Sequence, residues 1–162
     1  MPETRRCFLG QGLCGAIAAA IAPHVHAGNG EAGKIKAGKI KVGQIGTAHA
    51  HASKLEVFRN SPDYEVVGIV EPSAELRNKA AEQRAYKGLP WMTREQLLAI
   101  PGLQLVLVET AVRDLLDNAE ACVTAGKHVH LDKPAGESLP QFQRILERAE
   151  RERLLVQLGY MY

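Results

Sequence analysis

From residue 40 onward, short runs of β-branched and aliphatic residues alternate with longer segments whose apolar positions recur at helical spacing. The short runs predict strands at 40–45, 64–70, 104–109, 128–131 and 155–159, with a shorter one near 89–92. The longer segments predict helices at 49–59, 73–84, 93–100, 113–125 and 139–151. Strands that take turns with helices are typical of a parallel sheet, because parallel strands need crossover connections. The pattern therefore predicts an α/β fold: a doubly wound parallel sheet of about six strands with helices on both faces.

Three residues mark the predicted ends of these helices. Ser73 and Thr93 stand just before helical segments, where a side-chain oxygen can accept a hydrogen bond from a free backbone N–H. Gly126 follows the fourth helix, where glycine commonly adopts the left-handed conformation that ends a helix. These signals define the helix boundaries more closely than periodicity alone.

The first 27 residues differ from the rest of the chain. Arg5 and Arg6 precede an apolar, small-residue run at 13–22 that is too short to cross a bilayer. Ala27 ends a small-x-small cleavage site, so the segment resembles a twin-arginine export signal. We expect export to the periplasm or another extracytoplasmic compartment, with no membrane attachment of the mature form. A poorly ordered N-terminal helix of a cytoplasmic protein is the alternative.

Residues 28–39 predict a linker. They are polar and rich in glycine and lysine, and the pentapeptide Ala-Gly-Lys-Ile-Lys at 32–36 recurs at 37–41. A five-residue repeat is far shorter than a solenoid unit. The sequence therefore predicts a signal at 1–27, a linker at 28–39 and one folded domain at 40–162.

The composition is that of one foldable globular domain. The chain has 162 residues, of which 46% are hydrophobic and 23% charged. Its 20 basic and 18 acidic residues leave a formal charge of +2, without the concentrated basic face that nucleic-acid binding requires. Three cysteines, Cys7, Cys14 and Cys122, are too few for a disulfide scaffold. We therefore expect neither a nucleic-acid partner nor an internal disulfide in the mature domain.

The turn after the first predicted strand carries the candidate cofactor chemistry. It stands where a dinucleotide-binding fold has its G-x-G-x-x-G turn, and Gly46 matches the first glycine of that motif. Ala48 and His51 replace the second and third glycines. Phosphate binding is still expected, because backbone N–H groups and the helix dipole supply the attraction. The candidate cofactor-binding residues of this turn are Gly46, Thr47, Ala48, His49 and His51.

Glu71 strengthens the cofactor hypothesis. It ends the second predicted strand, where an acidic residue accepts hydrogen bonds from the adenosine ribose hydroxyls. A carboxylate at this position also repels a 2′-phosphate, so Glu71 favours NAD over NADP. The alternative interpretation is a solvated loop carboxylate before Pro72.

Residues 125–134, Ala-Gly-Lys-His-Val-His-Leu-Asp-Lys-Pro, resemble the A-G-K-H-V-x-x-E-K-P segment of the Gfo/Idh/MocA oxidoreductases. The resemblance extends from about residue 41 to the last residue and implies a Rossmann-type, NAD(P)-binding domain. It also implies that Lys133, the candidate catalytic residue, lies beside the nicotinamide and helps to move the proton of the reacting hydroxyl. Asp132, in place of the commoner Glu, and Pro134, often cis in the family, join Lys133 as cofactor-binding candidates.

The sequence also departs from the family's pattern. Thr110, a further cofactor-binding candidate, lies in a turn where relatives often have Ala-Thr-Pro, and Leu115 replaces a frequent histidine. The family's second α/β domain, which supplies the sugar pocket and a partner acid or base, is missing from these residues. With such a domain supplied, the resemblance implies hydride transfer between the nicotinamide and a sugar, cyclitol or related polyol. The alternative is a truncated module that binds a dinucleotide and catalyses nothing.

Two further points concern assembly and rival chemistry. Assembly into a homo-oligomer stays open, because in the family the assembly surface usually belongs to the second domain. The pairs His49-x-His51 and His128-x-His130 raise the question of zinc, but no cysteine or carboxylate stands at ligand spacing to join them. The sequence therefore predicts no metal, and it contains neither a G-x-S-x-G elbow nor a P-loop motif.

Overall fold

The computed structural model describes residues 38–160, so the predicted signal at 1–27 and nearly all of the predicted linker lie outside the described residues. Between these bounds, strands and helices follow one another much as the sequence pattern predicts, with a 3-10 turn at Ala52–Lys54. The strands are β1 (Ile40–Ile45), β2 (Tyr64–Val70), β3 (Leu103–Val108), β4 (His128–Leu131) and β5 (Val156–Leu158). The helices are α1 (Leu55–Asn60), α2 (Ala74–Ala81), α3 (Arg94–Leu98), α4 (Val112–Thr124) and α5 (Leu139–Glu152).

All five strands belong to one parallel sheet in the order β2-β1-β3-β4-β5. The short strand predicted near 89–92 is reduced to a single parallel bridge between Trp91 and Ile69 of β2. Pro90 restricts this segment because it has no N–H to donate, although its carbonyl accepts from Ile69 N at 3.0 Å. If the bridge is counted as an edge strand, the order is that of the doubly wound dinucleotide-binding fold. The predicted α/β, Rossmann-type sheet is confirmed.

Both faces of the sheet are covered, as a parallel sheet requires. Along β3, Val106 and Val108 pack into one buried cluster while Leu107, between them, packs into the other. The first cluster is covered by α3, α4 and α5, with Leu115 of α4 fully buried. The second is covered by α1 and α2, with Leu55 of α1 fully buried. Alternating side chains therefore join one sheet to two helical layers.

The first helix begins later than its sequence pattern predicts. Ala52 N donates to His49 O at 3.0 Å and Lys54 N donates to His51 O at 2.9 Å, the i to i+3 spacing of a 3-10 turn. The helix then ends at Asn60 because Ser61, which precedes a proline, has an extended backbone. The histidines of the predicted helix therefore lie in a turn.

The three residues predicted to mark helix ends do so, although α2 and α3 end two or three residues earlier than predicted. Ser73 Oγ accepts a hydrogen bond from Leu76 N at 3.3 Å. Thr93 forms a capping box with Gln96, each side chain bonding the other's backbone N–H. Gly126 follows the end of α4 with a φ of 70°, the left-handed conformation expected there. Local sequence signals thus set these boundaries.

The interior of α4 is apolar, and Cys122 is part of it. This residue is fully buried in the first cluster, and burial raises the pKa of its thiol to about 12. A thiol with so high a pKa is not a nucleophile at neutral pH. Among the described residues, no helix is both long and apolar enough to span a bilayer.

The strand order determines where a ligand can bind. The chain leaves β1 toward β2 along one face of the sheet and later reaches β3, on the other side of β1, with α4 on the opposite face. The connections diverge between β1 and β3, so a crevice opens beyond the carboxyl ends of these strands.

Candidate functional site

A groove of about 910 Å³ lies at this divergence, within the size range of small-molecule sites. Its walls come from the turns after β1 and β2, from the segment around Trp91, and from the start of α4. The groove brings together four of the residues that the sequence singles out: Gly46, Ala48, Glu71 and Thr110. Thr110 is nearly buried, and its hydroxyl donates to the Ala111 carbonyl at 3.2 Å.

Gly46 forms the tight turn out of β1 at a place where only glycine fits. Its φ of 91° lies in the left-handed region, and an added Cβ would come within 2.7 Å of the Glu109 carbonyl carbon and oxygen. Its N–H donates to Val70 O at 2.8 Å, and its carbonyl accepts from the buried Gln44 side chain at 2.9 Å. These hydrogen bonds attach the turn to β2 and to a side chain of β1 itself.

Glu71 holds the same turn from the other side of the groove. Its Oε2 accepts hydrogen bonds from the Thr47 N–H at 2.9 Å and from the Thr47 hydroxyl at 2.8 Å, while Oε1 accepts from Ser73 N at 3.0 Å. The residue is only 6% exposed, so the alternative of a solvated loop carboxylate does not describe it. Glu71 thus orders the cofactor turn as well as facing the groove.

The side chains of His49 and His51 both lie against the carboxylate of Asp132. The Nδ1 atom of His49 is in direct contact with Oδ2 of Asp132, and Nδ1 of His51 lies 3.7 Å from Oδ1. The His49 backbone N–H donates to Glu109 O at 3.3 Å, which fastens this part of the turn to the end of β3. The carboxylate that sequence spacing did not reveal thus comes from another strand.

Asp132, Lys133 and Pro134 form the turn after β4. Asp132 is completely buried, and its Oδ1 accepts from the Lys133 backbone N–H at 2.9 Å. Burial alone would raise the pKa of Asp132, but hydrogen bonds from that N–H and from the Glu109 carboxyl outweigh it and lower the pKa. Lys133 is half-buried, and the Lys133–Pro134 peptide bond is cis, as the family resemblance implies.

Two residues that the sequence analysis missed complete this side of the site. Glu109, fully buried at the end of β3, has its Oε1 atom 2.7 Å from the Lys54 ammonium. Burial raises the pKa of Glu109 to about 7, and the Asp132 charge adds to the rise while Lys54 opposes it. Glu109 could have been found by the signal that identified Glu71, an acidic residue directly after an apolar strand. Lys54 carries no such signal.

His130 faces the same cluster from β4. Its Nε2 lies 4.0 Å from Glu109 Oε1, and its Nδ1 lies 3.3 Å from the Gln157 side chain. Burial and the Lys54 ammonium lower the pKa of His130, so the ring is neutral at pH 7. His128, two residues earlier in β4, does not belong to this cluster. Its Nδ1 accepts a hydrogen bond from the Leu155 backbone N–H at 2.9 Å.

The site therefore has two parts. The groove, with Glu71, extends from the end of β2 across β1 to the start of α4. The second part joins the turn after β1 to the ends of β3 and β4, with Glu109 and Asp132 fully buried at its centre. We call it the buried cluster and define it as His49, His51, Lys54, Glu109, His130 and Asp132.

A family model described as the oxidoreductase family with an NAD-binding Rossmann fold, GFO_IDH_MocA, matches residues 40–160. The chain belongs to the Gfo/Idh/MocA oxidoreductase family. Its described residues form that family's NAD-binding domain. The groove of that domain is lined by Gly46, which lies against the Glu109 backbone, by Ala48, which presents only a methyl group, and by Glu71.

Solved structures agree with this assignment. Biliverdin reductase from Synechocystis sp. PCC 6803, in complex with biliverdin and NADP+, is 27% identical over 74% of this chain, with a TM-score of 0.65. KijD10, a 3-ketoreductase from Actinomadura kijaniata in complex with TDP-benzene and NADP, is 26% identical over 76% of this chain, with a TM-score of 0.64. An NAD-binding protein from Listeria innocua shares the fold at 24% identity over 75%, with a TM-score of 0.66.

These matches involve only part of each relative. The aligned region covers 37% of the biliverdin reductase chain, 39% of KijD10 and 35% of the Listeria protein. The chain thus spans little more than a third of the length of these solved structures. The comparison with curated proteins gives no match.

The close approach at Gly46 can be tested against a second glycine with the same backbone conformation. Gly88 has a φ of 78° but open space around its Cβ position. We expect Gly88→Ala to lower the free energy of unfolding by about 1 kcal/mol from backbone strain alone. Gly46→Ala adds a clash with backbone atoms, and we expect a loss of roughly 2–4 kcal/mol. Urea denaturation of both variants measures the difference, and equal losses would contradict the close packing at Gly46.

Proposed function

We propose that this chain is the dinucleotide-binding part of an NAD(P)-dependent oxidoreductase that acts on a sugar, cyclitol or related polyol. The observation that carries the proposal is the groove at the divergence of β1 and β3, with Gly46 at its floor and Glu71 on its wall. A bound nicotinamide dinucleotide would accept or donate the hydride. The protein's part is to bind, to orient and to move the hydroxyl proton.

The turn from Gly46 to Ala48 would receive the pyrophosphate. The backbone N–H groups of Thr47 and His49 are engaged by Glu71 and by the Glu109 carbonyl, which leaves Ala48 between them on the groove wall. A turn fixed at both ends loses little conformational entropy when a ligand binds. Its rigidity supports the role of a preformed phosphate cradle.

Glu71 and Arg77 would decide between NAD and NADP. Both line the groove, and their charges have opposite effects on a 2′-phosphate. Glu71 is held by three hydrogen bonds directly at the end of β2, whereas Arg77 follows on the next helix. The position of the carboxylate favours NAD, with NADP the weaker ligand.

Lys133 would act at the nicotinamide end. It follows β4, on the far side of β1 from Glu71, and ligands of open α/β sheets bind beyond the carboxyl ends of the strands. A lysine beside the reacting carbon can orient the substrate hydroxyl and exchange its proton. The substrate pocket and a partner acid or base would come from a second domain. Without one, the alternative is a module that binds a dinucleotide without catalysis.

The N-terminal segment suggests where the protein works. Residues 1–27 resemble a twin-arginine signal, with paired arginines, an apolar run and a small-x-small site, and that route carries folded proteins. A protein folded around a tightly held dinucleotide in the cytoplasm could take it across the membrane. We therefore propose an extracytoplasmic site of action, with the cytoplasm as the alternative.

Calorimetric titration of the chain with NADH and with NADPH tests the proposed cofactor. We expect saturable binding of NADH and weaker binding of NADPH, because the Glu71 carboxylate repels the extra phosphate. Glu71→Gln removes that charge and should raise the NADPH-to-NADH affinity ratio about tenfold. Glu95→Gln, at a second groove-lining carboxylate, should leave the ratio unchanged. Binding of neither nucleotide would refute the proposed function.

The role of Lys133 can be separated from general cofactor binding with a ligand that lacks nicotinamide. We expect Lys133→Met to weaken NADH binding about fivefold, the value of one hydrogen bond, and to leave ADP-ribose binding unchanged. Glu71→Gln, at the adenosine end, should change both affinities equally. A Lys133→Met variant that loses both ligands equally would place the lysine away from the nicotinamide.

Export can be tested by exchanging Arg5-Arg6 for Lys-Lys. The pair of lysines keeps the charge but not the twin-arginine motif, so we expect the protein to accumulate in the cytoplasm. Cell fractionation followed by immunoblotting measures the distribution. Exchanging Lys34 and Lys36 for arginine, outside the predicted signal, is the control. Unchanged export of the twin-lysine variant would count against this route.

A further inference from the structure

We propose that His49, His51 and Asp132 bind a divalent first-row transition-metal ion such as Zn²⁺, a site separate from the dinucleotide groove. The proposal does not depend on the proposed oxidoreductase activity. It follows from the way the structure joins two histidines of one turn to a carboxylate from a distant strand.

The geometry is that of a metal-ligand set. One ligand atom from each residue, imidazole nitrogen or carboxylate oxygen, lies within 4.8 Å of the other two. Ligands at 2.0–2.2 Å from a tetrahedral Zn²⁺ ion are about 3.3–3.6 Å apart. His49 and His51 both turn Nδ1 toward the carboxylate, and the His51 atom lies 3.7 Å from it. An ion would separate His49 Nδ1 from Asp132 Oδ2 and replace the hydrogen bond that His49 Nδ1 accepts from the His51 N–H at 3.3 Å. Two segments of the chain therefore bring three potential ligands close enough to bind one ion after small side-chain movements.

Unpartnered polar atoms support a bound cation. The Nδ1 atom of His51 is buried and has no hydrogen-bond partner among the described residues. The Oδ2 atom of the completely buried Asp132 contacts His49 Nδ1 and accepts no hydrogen bond from any other described residue. Buried polar atoms without partners are rare because each costs free energy. Both atoms belong to the ligand set, and one bound ion would satisfy them together.

The position of the one ammonium group in the cluster is compatible with a cation beside Asp132. Lys54 lies 2.7 Å from Glu109 but 3.8 Å from Asp132. A buried carboxylate needs a compensating partner. The Asp132 carboxylate, farther from the ammonium, faces the two histidines.

The ligand types indicate the class of ion. Imidazole nitrogen suits zinc, copper, iron and nickel, whereas calcium and magnesium prefer oxygen ligands throughout. Three protein ligands leave at least one coordination position open to water or to a ligand. Since two of the ligands belong to the turn after β1, a bound ion would cross-link that turn to the end of β4.

The competing arrangement is a proton in place of the metal, giving a hydrogen-bonded pair of His49 and Asp132. That pair satisfies one Asp132 oxygen but leaves His51 Nδ1 unpartnered. The two arrangements differ in the role of His51. It is a ligand in the metal site, but it takes no part in the hydrogen-bonded pair of His49 and Asp132.

The test uses the full chain, purified and treated with a chelator, then titrated with Co²⁺ and afterwards with Zn²⁺. We expect one equivalent of Co²⁺ per chain with visible absorption bands of nitrogen and oxygen coordination, and displacement by Zn²⁺. His51→Gln and Asp132→Asn should each weaken binding by more than roughly 100-fold, beyond the ~10- to 100-fold typical of residues that only orient a ligand. Circular dichroism shows whether each variant is folded, and His51→Gln alone suffices if the buried Asp132→Asn variant is not.

His128→Gln is the matched control, since His128 lies on the same strand as His130 but bonds the Leu155 N–H outside the ligand set. It should bind Co²⁺ like the unaltered chain. A Co²⁺ spectrum with thiolate charge-transfer bands would assign binding to cysteine elsewhere and overturn the proposal. Absence of binding, or binding that His51→Gln leaves unchanged, would overturn it in favour of the hydrogen-bonded pair.

Discussion

The contact between Gly46 and the Glu109 carbonyl is the constraint on which the site depends. It lets the turn after β1 lie directly against the end of β3, closer than any side chain would allow. Once the turn is seated there, Thr47 meets Glu71 on one side and His49 meets Asp132 on the other. A single glycine conformation thus positions both the groove and the buried cluster.

The two parts of the site differ in exposure and in charge. On the β2 side, exposed groove walls and a hydrogen-bonded carboxylate suit a large polar ligand. On the β3 and β4 side, Glu109 and Asp132 are removed from water, and each shifts the other's protonation. The proton is therefore held more tightly by Glu109 than by Asp132, in the turn that also carries Lys133.

Most of the fold and part of the site could be predicted from the sequence. Strands such as β1 and β2 were predicted at their observed bounds, because apolar runs between turn signals have few alternatives. Two features could not be predicted from the hydrophobic pattern: the reduction of the strand at Trp91 to a single bridge, and the late start of α1. Both depend on local backbone hydrogen bonding, near Pro90 and in the 3-10 turn, which the pattern does not show. Glu71 was identified by its place after a strand. Lys54 was not, because its partners Glu109 and Asp132 come from distant segments.

The strand order also affects how the chain is made. Of the strands that the structure describes, β1 is synthesised first, yet it lies inside the sheet, between β2 and β3. One of its edges stays unpaired until Val108 has been synthesised, and the buried cluster cannot close before Asp132 follows. Parallel sheets form slowly because strands distant in sequence must meet before their contacts stabilise the fold. A nascent chain therefore exposes an apolar strand edge during synthesis, when chaperones that hold extended segments would find it.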